Sequence, residues 1–205
     1  MRDFGYGPAQ RFMKRAFDLV VAVAVLVTAL PLFAALTAWL RWKEGAPVFF
    51  FQERVGRGGR RFRMVKLRTM ARRPGPGVTA RDDTRITRWG GLYRRHRWDE
   101  WPELLHVIAG TMSLVGPRPE LPDFVARYPE PARALLKLQP GLTDPATLES
   151  LDEEDVLASS PAPERTYIEE LMPAKLECCL AYYRRPSFWG DLSILARTAG
   201  ALILR

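Results

Sequence analysis

The chain is poor in the residues that build metal centres and covalent cross-links. Its 205 residues include two cysteines, Cys178 and Cys179, and these are adjacent. That excludes a disulfide framework and a spaced set of thiolate ligands, and it suits a reducing, cytosolic setting for the soluble part. The two histidines, His96 and His106, are too few for a histidine-based metal centre. Each reads as an ordinary surface or packing residue. No G-x-x-x-x-G-K-[ST] loop is present, so the usual phosphate cradle of nucleotide-driven enzymes is missing. There is no internal repeat and no low-complexity tract.

What the chain does carry is positive charge and one long apolar run. Lysine and arginine number 31 against 23 acidic residues, a formal net charge of +8. Such an excess favours a polyanionic partner, whether nucleic acid, anionic lipid or a phosphorylated substrate, and charge alone does not choose among them. The length allows a single domain with a real core. Residues 19–40 contain no charge at all, a stretch of 22, which meets the roughly 20 residues a spanning helix needs. It is too long for a signal-peptide core, and no cleavage site follows it. Pro31 sits inside the run, where it removes one helix hydrogen bond. Arg11, Lys14 and Arg15 precede the run and Arg41 and Lys43 follow it. Basic residues at both ends fit a hairpin that enters one leaflet, bends at Pro31 and returns. A kinked spanning helix fits the same pattern, and charge does not separate the two. Asp18, within one turn of Lys14 and Arg15, reads as their ion-pair partner at the mouth of the segment.

The expected organisation is a flexible leader over 1–13, a membrane segment over 14–43 and a catalytic domain over 44–205. The fold class is mainly α with a small β-hairpin. The hairpin strands are 47–53 and 61–67, joined by the turn-rich VGRGG at 55–59. The basic stretch 81–97 reads as helical from about Thr84. Pro102 suits a first helical turn, with Trp101, Leu104, Leu105 and Ile108 forming one apolar face behind it. A further helix is expected over 121–138 with a break at its prolines, a turn over 139–144, an acidic solvated stretch over 152–155, and a helix over 173–183. Residues 187–204 form an amphipathic helix that suits a bilayer surface or the protein core equally by pattern.

Chemistry concentrates between Arg94 and Pro119. If Pro102 opens a helix, Asp99 and Glu100 lie at its positive end, where negative charge is stabilised and phosphate is attracted. An aspartate there can act as a nucleophile or a Mg²⁺ ligand, while acids are also common decoration of helix starts. Arg94, Arg95 and Arg97 precede the pair. Arg118 follows, held between two prolines, which suits a guanidinium that grips phosphate with two hydrogen bonds. Lys66 and Arg68 come off the second strand. Carboxylates and arginines around a hard cation suit phosphoryl transfer, although a run of arginines can equally be a solvated basic face.

The chain resembles the bacterial sugar transferase family, the monotopic phosphoglycosyl transferases, in their small form. The motifs are KRAFDL at 14–19, APVFFFQERVGRGGRRFRMVKLRTM at 46–70, DDTRITRWGGLYRR at 82–95, WDEWPELLHVIAGTMSLVGPRPE at 98–120, QPGLTDPATLE at 139–149 and YYRRPSFWGDLSIL at 182–195. The resemblance implies transfer of a sugar-1-phosphate from a UDP-sugar to a polyprenol phosphate such as undecaprenyl phosphate, with release of UMP. It implies the first membrane step of a glycan pathway such as exopolysaccharide biosynthesis. It places the catalytic dyad on Asp99 and Glu100, with Asp99 forming a covalent phosphosugar intermediate and ligating Mg²⁺. It maps phosphate-binding groups to Lys66, Arg94 and Arg118. It also implies a re-entrant membrane helix broken at Pro31, interfacial helices around a cytosolic catalytic domain, and a site at the cytoplasmic face of the bacterial inner membrane. Membrane lipid is an expected partner, nucleic acid is not, and a homodimer is left open. Two departures stand out. The family's Ser-Pro break is Leu30-Pro31 here, so a hydroxyl that could serve a freed carbonyl is missing unless Thr28 substitutes. PGLTDPATLE replaces a more usual PGITGWAQV, so sugar identity does not carry over. The alternative reading is a non-catalytic, membrane-anchored basic protein that binds anionic lipid or nucleic acid; a scaffold subunit without activity is a third.

Overall fold

The computed structural model describes residues 4–150 and 152–203. The molecule is mainly helical, with two small two-stranded sheets. Helix α1 (Pro8–Glu44) carries the apolar run. It is followed by the antiparallel pair β1 (Phe49–Val55) and β2 (Arg61–Leu67), in the register Phe49 opposite Leu67 and Val55 opposite Arg61. Next come α2 (Arg88–Arg95), a 3-10 turn (Trp98–Glu103), α3 (Leu104–Ala109) and β3 (Ser113–Val115). Helix α4 (Pro122–Val125) and a 3-10 segment (Glu130–Lys137) lead to β4 (Gly141–Thr143), which pairs in parallel with β3. The chain ends with α5 (Pro145–Glu149), α6 (Glu153–Ser159), α7 (Pro163–Thr166), α8 (Met172–Tyr183) and α9 (Phe188–Ile203).

Pro8 starts α1 at a position where its missing N–H is not needed. The helix therefore begins inside the segment read as a leader over 1–13. Tyr6 is buried, packs edge-on against Tyr183 and donates to Asp191 at 2.6 Å. Residues 1–3 of that leader lie outside the described residues.

Helix α1 docks on the rest of the molecule near both of its ends. Near its start, Arg15 donates to the carbonyls of Val107 and Ile108, and Ala22 is fully buried against Leu104, Val107, Met112 and Leu114. Near its end, Leu40 packs with Leu67 and Tyr93, Trp39 meets Trp89, and Tyr93 donates to the Leu36 carbonyl at 2.6 Å. Each well-buried side chain of this kind contributes roughly 1.5–3 kcal/mol. Between the two docks, Val23, Val25, Val27, Leu30 and Leu32 are exposed. Among the described residues α1 alone is long and apolar enough to cross a membrane.

The helix continues through Pro31 without interruption in its assigned span. Thr28 does not serve the Val27 carbonyl that Pro31 frees. Its hydroxyl donates to Ala24 at 2.8 Å, one turn back, a local bond that tends to bend helices. At the far end, Arg68 donates to the carbonyls of Glu44 and Gly45. That satisfies helix-terminal acceptors with a cation, so Arg68 is committed to the helix end.

A buried polar knot joins α1, β3 and α9. Lys14 lies 2.9 Å from Asp191 and 3.8 Å from Asp18. Ser113 donates to Asp18 at 2.7 Å, and Tyr182 donates to Asp191 at 2.6 Å. Asp18 thus faces inward and is 2% exposed. Helix α9 is fixed to the protein by this knot and by buried Ile194, while Trp189 at its start is exposed; the predicted end at 204 lies outside the described residues.

Candidate active site

The expected helix start at Pro102 is moved upstream. The 3-10 turn begins at Trp98 and has Pro102 inside it, so Asp99 and Glu100 occupy its first turn. The turn is six residues long, and helix-dipole effects are confined to a terminal turn. Charge control here comes mainly from side chains. Arg97 precedes the turn with a left-handed backbone, φ 54° and ψ 25°, a conformation costing roughly 1–3 kcal/mol for a non-glycine residue. This reversal swings the chain from α2 into the acidic pair, and the Glu100 N–H donates back to the Arg97 carbonyl at 3.2 Å.

Glu100 is the hub. Its Oε1 accepts from Lys66 Nζ at 2.8 Å and from Arg118 Nη2 at 2.9 Å, and its Oε2 lies 3.4 Å from Arg97 Nη1. Burial pushes its carboxyl up, but these three cations outweigh burial and hold it well below the usual range. Asp99 behaves in the opposite way. It is buried and, among the described residues, makes no ion pair. Burial, then the charge of Glu100, raises its proton affinity, with Lys66 and Arg94 pulling partly the other way. Arg94 thus acts on Asp99 through space while its guanidinium is bonded to Glu154.

Arg118 is held by its backbone as well as its side chain. Its N–H donates to Asp144 Oδ2 at 3.0 Å, and Asp144 Oδ1 caps α5 through Thr147 N at 2.6 Å. On the other side, Arg54 donates to the Pro119 carbonyl at 3.2 Å and lies 3.6 Å from Glu120, which also accepts from Tyr167 at 2.6 Å. Glycine makes this arrangement possible. A Cβ on Gly141 would lie 2.1 Å from Gly116 N, so β4 can press against the Pro-Arg-Pro segment only because both positions lack side chains.

The structure therefore brings together Lys66, Glu100 and Arg118 directly, with Asp99 and Arg94 beside them. Pro31 is exposed on α1 and is not among these contacts, although Phe33, two residues on, packs against Trp101 of the same turn as the acidic pair. Sequence reasoning missed Glu103, Asp144 and the Arg54–Glu120–Tyr167 group, and it named Arg97 only as part of the basic run. It also read the acids at 152–155 as solvated. Asp152 is exposed and the other three are partly so, but three of the acids also have partners: Glu153 meets Lys175 at 2.7 Å, Glu154 meets Arg94, and Asp155 meets Arg81 at 2.7 Å.

A buried aspartate next to a glutamate gripped by a strand lysine and a Pro-Arg-Pro arginine is the pattern of the motifs at 46–70 and 98–120, and the whole-chain comparison agrees. Residues 9–205 match the family described as bacterial sugar transferase. The chain belongs to the bacterial sugar transferase family. Among similar members, a UDP-glucose:undecaprenyl-phosphate glucose-1-phosphate transferase of Caulobacter vibrioides is 36% identical over 197 residues, covering 93% of this chain and 69% of that protein. A protein of the same name from Xanthomonas campestris pv. campestris is 35% identical over 190 residues, 89% of this chain and 37% of its own. An undecaprenyl-phosphate galactose phosphotransferase of Salmonella typhimurium is 30% identical over 216 residues, 96% of this chain and 42% of its own. This bacterial sugar transferase thus spans less than half the length of two of these three relatives.

Proposed function

We propose that this protein transfers a sugar-1-phosphate from a UDP-sugar to a polyprenol phosphate, undecaprenyl phosphate being the acceptor named for its relatives, and releases UMP. The observation that carries the reading is the divided charge of the dyad. Glu100 is neutralised by Lys66 and Arg118, while Asp99 stands beside them without an ion pair of its own among the described residues.

In the first half-reaction, an Asp99 oxygen attacks the sugar-linked phosphorus of the donor. The new aspartyl O–P bond forms as the anhydride P–O bond to UMP breaks, and UMP leaves with that electron pair. In the second, an oxygen of the lipid phosphate attacks the same phosphorus and Asp99 departs as carboxylate. Phosphoryl transfer of this kind depends on positioning and charge neutralisation. Lys66 and Arg118 exchange part of their hold on Glu100 for phosphate oxygens, and Arg94 adds positive charge beside Asp99. Glu100 keeps the two cations in place between turnovers and helps position the acceptor phosphate.

The donor set suits Mg²⁺ in one respect. That ion is ordinarily held by one or two carboxylates together with substrate phosphates, and Asp99 is a carboxylate not committed to a cation. When bound, Mg²⁺ would neutralise charge on the diphosphate.

We also infer a re-entrant α1 at the cytoplasmic face. Both ends of the helix dock on the same catalytic body and its exposed apolar middle contains Pro31. A hairpin dipping into one leaflet buries that middle in lipid and holds the site at headgroup depth, where a lipid phosphate lies.

Incubating the purified protein with Mg²⁺ and UDP-sugars radiolabelled in the sugar, without lipid, tests the reading. The protein should acquire label and release UMP, and lipid phosphate should discharge the label. UMP release only in the presence of lipid, with no labelled protein across the donor panel, would replace the covalent route with direct transfer.

A further inference from the structure

The two half-reactions above leave one buried carboxylate without a task. Glu103 is 3% exposed and lies one turn after Asp99. Its Oε1 is 3.2 Å from Lys66 Nζ, yet that oxygen has no hydrogen bond of normal geometry. The contact is one of charge. The same ammonium is 2.8 Å from Glu100, so Lys66 is shared between two acids.

The two acids differ in what else holds them. If Lys66 turns toward a phosphate, Glu100 keeps Arg118 and Arg97. Glu103 keeps no ion pair, only the more distant charges of Arg118 and Arg54, since Lys66 is its one ion-pair partner among the described residues. A phosphate that recruits Lys66 therefore uncovers a buried negative charge next to its own. This penalty falls on every phosphorylated ligand that uses Lys66, including the product.

We propose that Glu103 is a positioning residue that competes with bound phosphate for Lys66 and so weakens the grip of the site on the leaving nucleoside monophosphate. The proposal rests on the reading that the site takes a UDP-sugar. A site built only from Lys66, Arg94, Arg97 and Arg118 would hold UMP tightly and turn over slowly. Glu103 recaptures Lys66 as UMP departs and restores the arrangement that receives the next donor.

The full-length protein in nanodiscs gives the test. UMP binding is measured directly, and UMP inhibition, KM for the UDP-sugar and kcat are measured by turnover, for wild type, Glu103→Gln and Glu103→Asp. Removing one buried charge a few ångströms from a bound anion should tighten UMP binding in Glu103→Gln by roughly tenfold. KM should fall with it, and kcat should fall as UMP leaves more slowly. Glu103→Asp, whose carboxylate is one methylene further from Lys66, should shift in the same direction by less, and it carries the test if the glutamine variant does not fold. A purely structural ion pair would instead raise KM on removal. UMP affinity that is unchanged or weaker in the folded variants, with a competent wild type, overturns the proposal. A wild type that neither binds UMP nor releases it from any UDP-sugar overturns the underlying reading, and this inference with it.

Discussion

Asp99 and Glu100 are neighbours in the chain and opposite in proton affinity. The Glu100 carboxyl lies well below its ordinary value because three cations surround it, whereas burial and Glu100 itself raise Asp99. One peptide bond separates a permanent anion from an acid whose charge is costly. On the proposed mechanism the expensive charge is the useful one, because an anion that only Lys66 and Arg94 stabilise, and only partly, gains most by bonding to phosphorus.

Removing either acid should separate these roles. Asp99→Asn should abolish both covalent labelling and UMP release. Glu100→Gln should still label, more slowly by about 10²–10³-fold, because Lys66 and Arg118 lose the anion that aligns them. A labelled Asp99→Asn protein would disprove nucleophilic attack by that residue. Absence of both label and UMP release in the wild type would instead favour a basic lipid-binding protein without catalysis.

The pH dependence follows from the same contrast. Labelling requires ionised Asp99, so its rate should rise with pH through a value above the ordinary aspartate range near 3.9, while Glu100 stays ionised throughout. The stability signs are opposite. Asp99 has a raised folded pKa, so its contribution is most favourable below the unfolded value and is lost as pH rises through the folded one. Glu100, with a depressed folded pKa, contributes above its unfolded value and loses that contribution as pH falls through the folded one. Asp99→Asn should therefore melt at a higher temperature than wild type at pH 7, and the gain should shrink toward pH 4. Equal melting curves at both pH values would contradict the costly-anion account.

Arg118 is expected to need its planar fork as well as its charge. Arg118→Lys preserves the charge but reaches Glu100 and a phosphate with a single point donor. Labelling should fall by roughly tenfold or more, with a rise in KM for the UDP-sugar. Parity with wild type would mean that Arg118 supplies charge alone.

Much of this site was readable from residue order. The hairpin strand at 61–67 coincides with β2, and Lys66 and Arg118, named from their motifs, both reach Glu100 of the Asp-Glu pair. What could not be read was set by contacts distant in sequence. Ser113 and Gly141 belong to a parallel pair whose strands are three residues long, too short for an alternation pattern to register. The break expected at the prolines of 121–138 is present, although α4 already ends at Val125 and Pro129 caps the 3-10 segment that follows. The helix expected from Thr84 starts at Arg88, where Thr87 caps it by accepting from Gly90 N. The acids at 152–155 are solvated in part as expected, and the ion pairs of three of them were not readable because Arg81, Arg94 and Lys175 lie far away in sequence.

Asp144 is a case in which a residue that sequence reasoning passed over should prove structurally expensive. It is 2% exposed and receives N–H groups from both Arg118 and Thr147. Asp144→Ala leaves two donors without their partner, at about 1–3 kcal/mol each. For a chain of this size a loss of about 2–6 kcal/mol lowers Tm by roughly 4–24 °C. Labelling should weaken as well, because the Arg118 backbone is no longer fixed. A fall in Tm with wild-type labelling at a permissive temperature would show that the side-chain pairing with Glu100 is enough to place Arg118.

On the proposed re-entrant reading, the membrane geometry turns on Pro31. With Cys178 and Cys179 replaced by alanine, single cysteines at Gln10 and Glu53 should react with an impermeant maleimide only from the cytoplasmic side if α1 enters and leaves one leaflet. Pro31→Ala restores an N–H for the Val27 carbonyl and removes the ring clash with the preceding turn. The straight apolar helix is then long enough to span. Part of the population should expose position 10 to the opposite side and lose activity, since Arg15 and Ala22 could no longer reach α3 while Leu40 remains on Tyr93. The docking of both helix ends on one body is the force that opposes spanning. Replacing Ala22, fully buried against Val107, with a bulky residue such as phenylalanine should therefore enlarge the spanning fraction of Pro31→Ala further. Exposure of position 10 on the far side in the unmodified protein would restore a spanning helix and remove Pro31 from any role in placing the site.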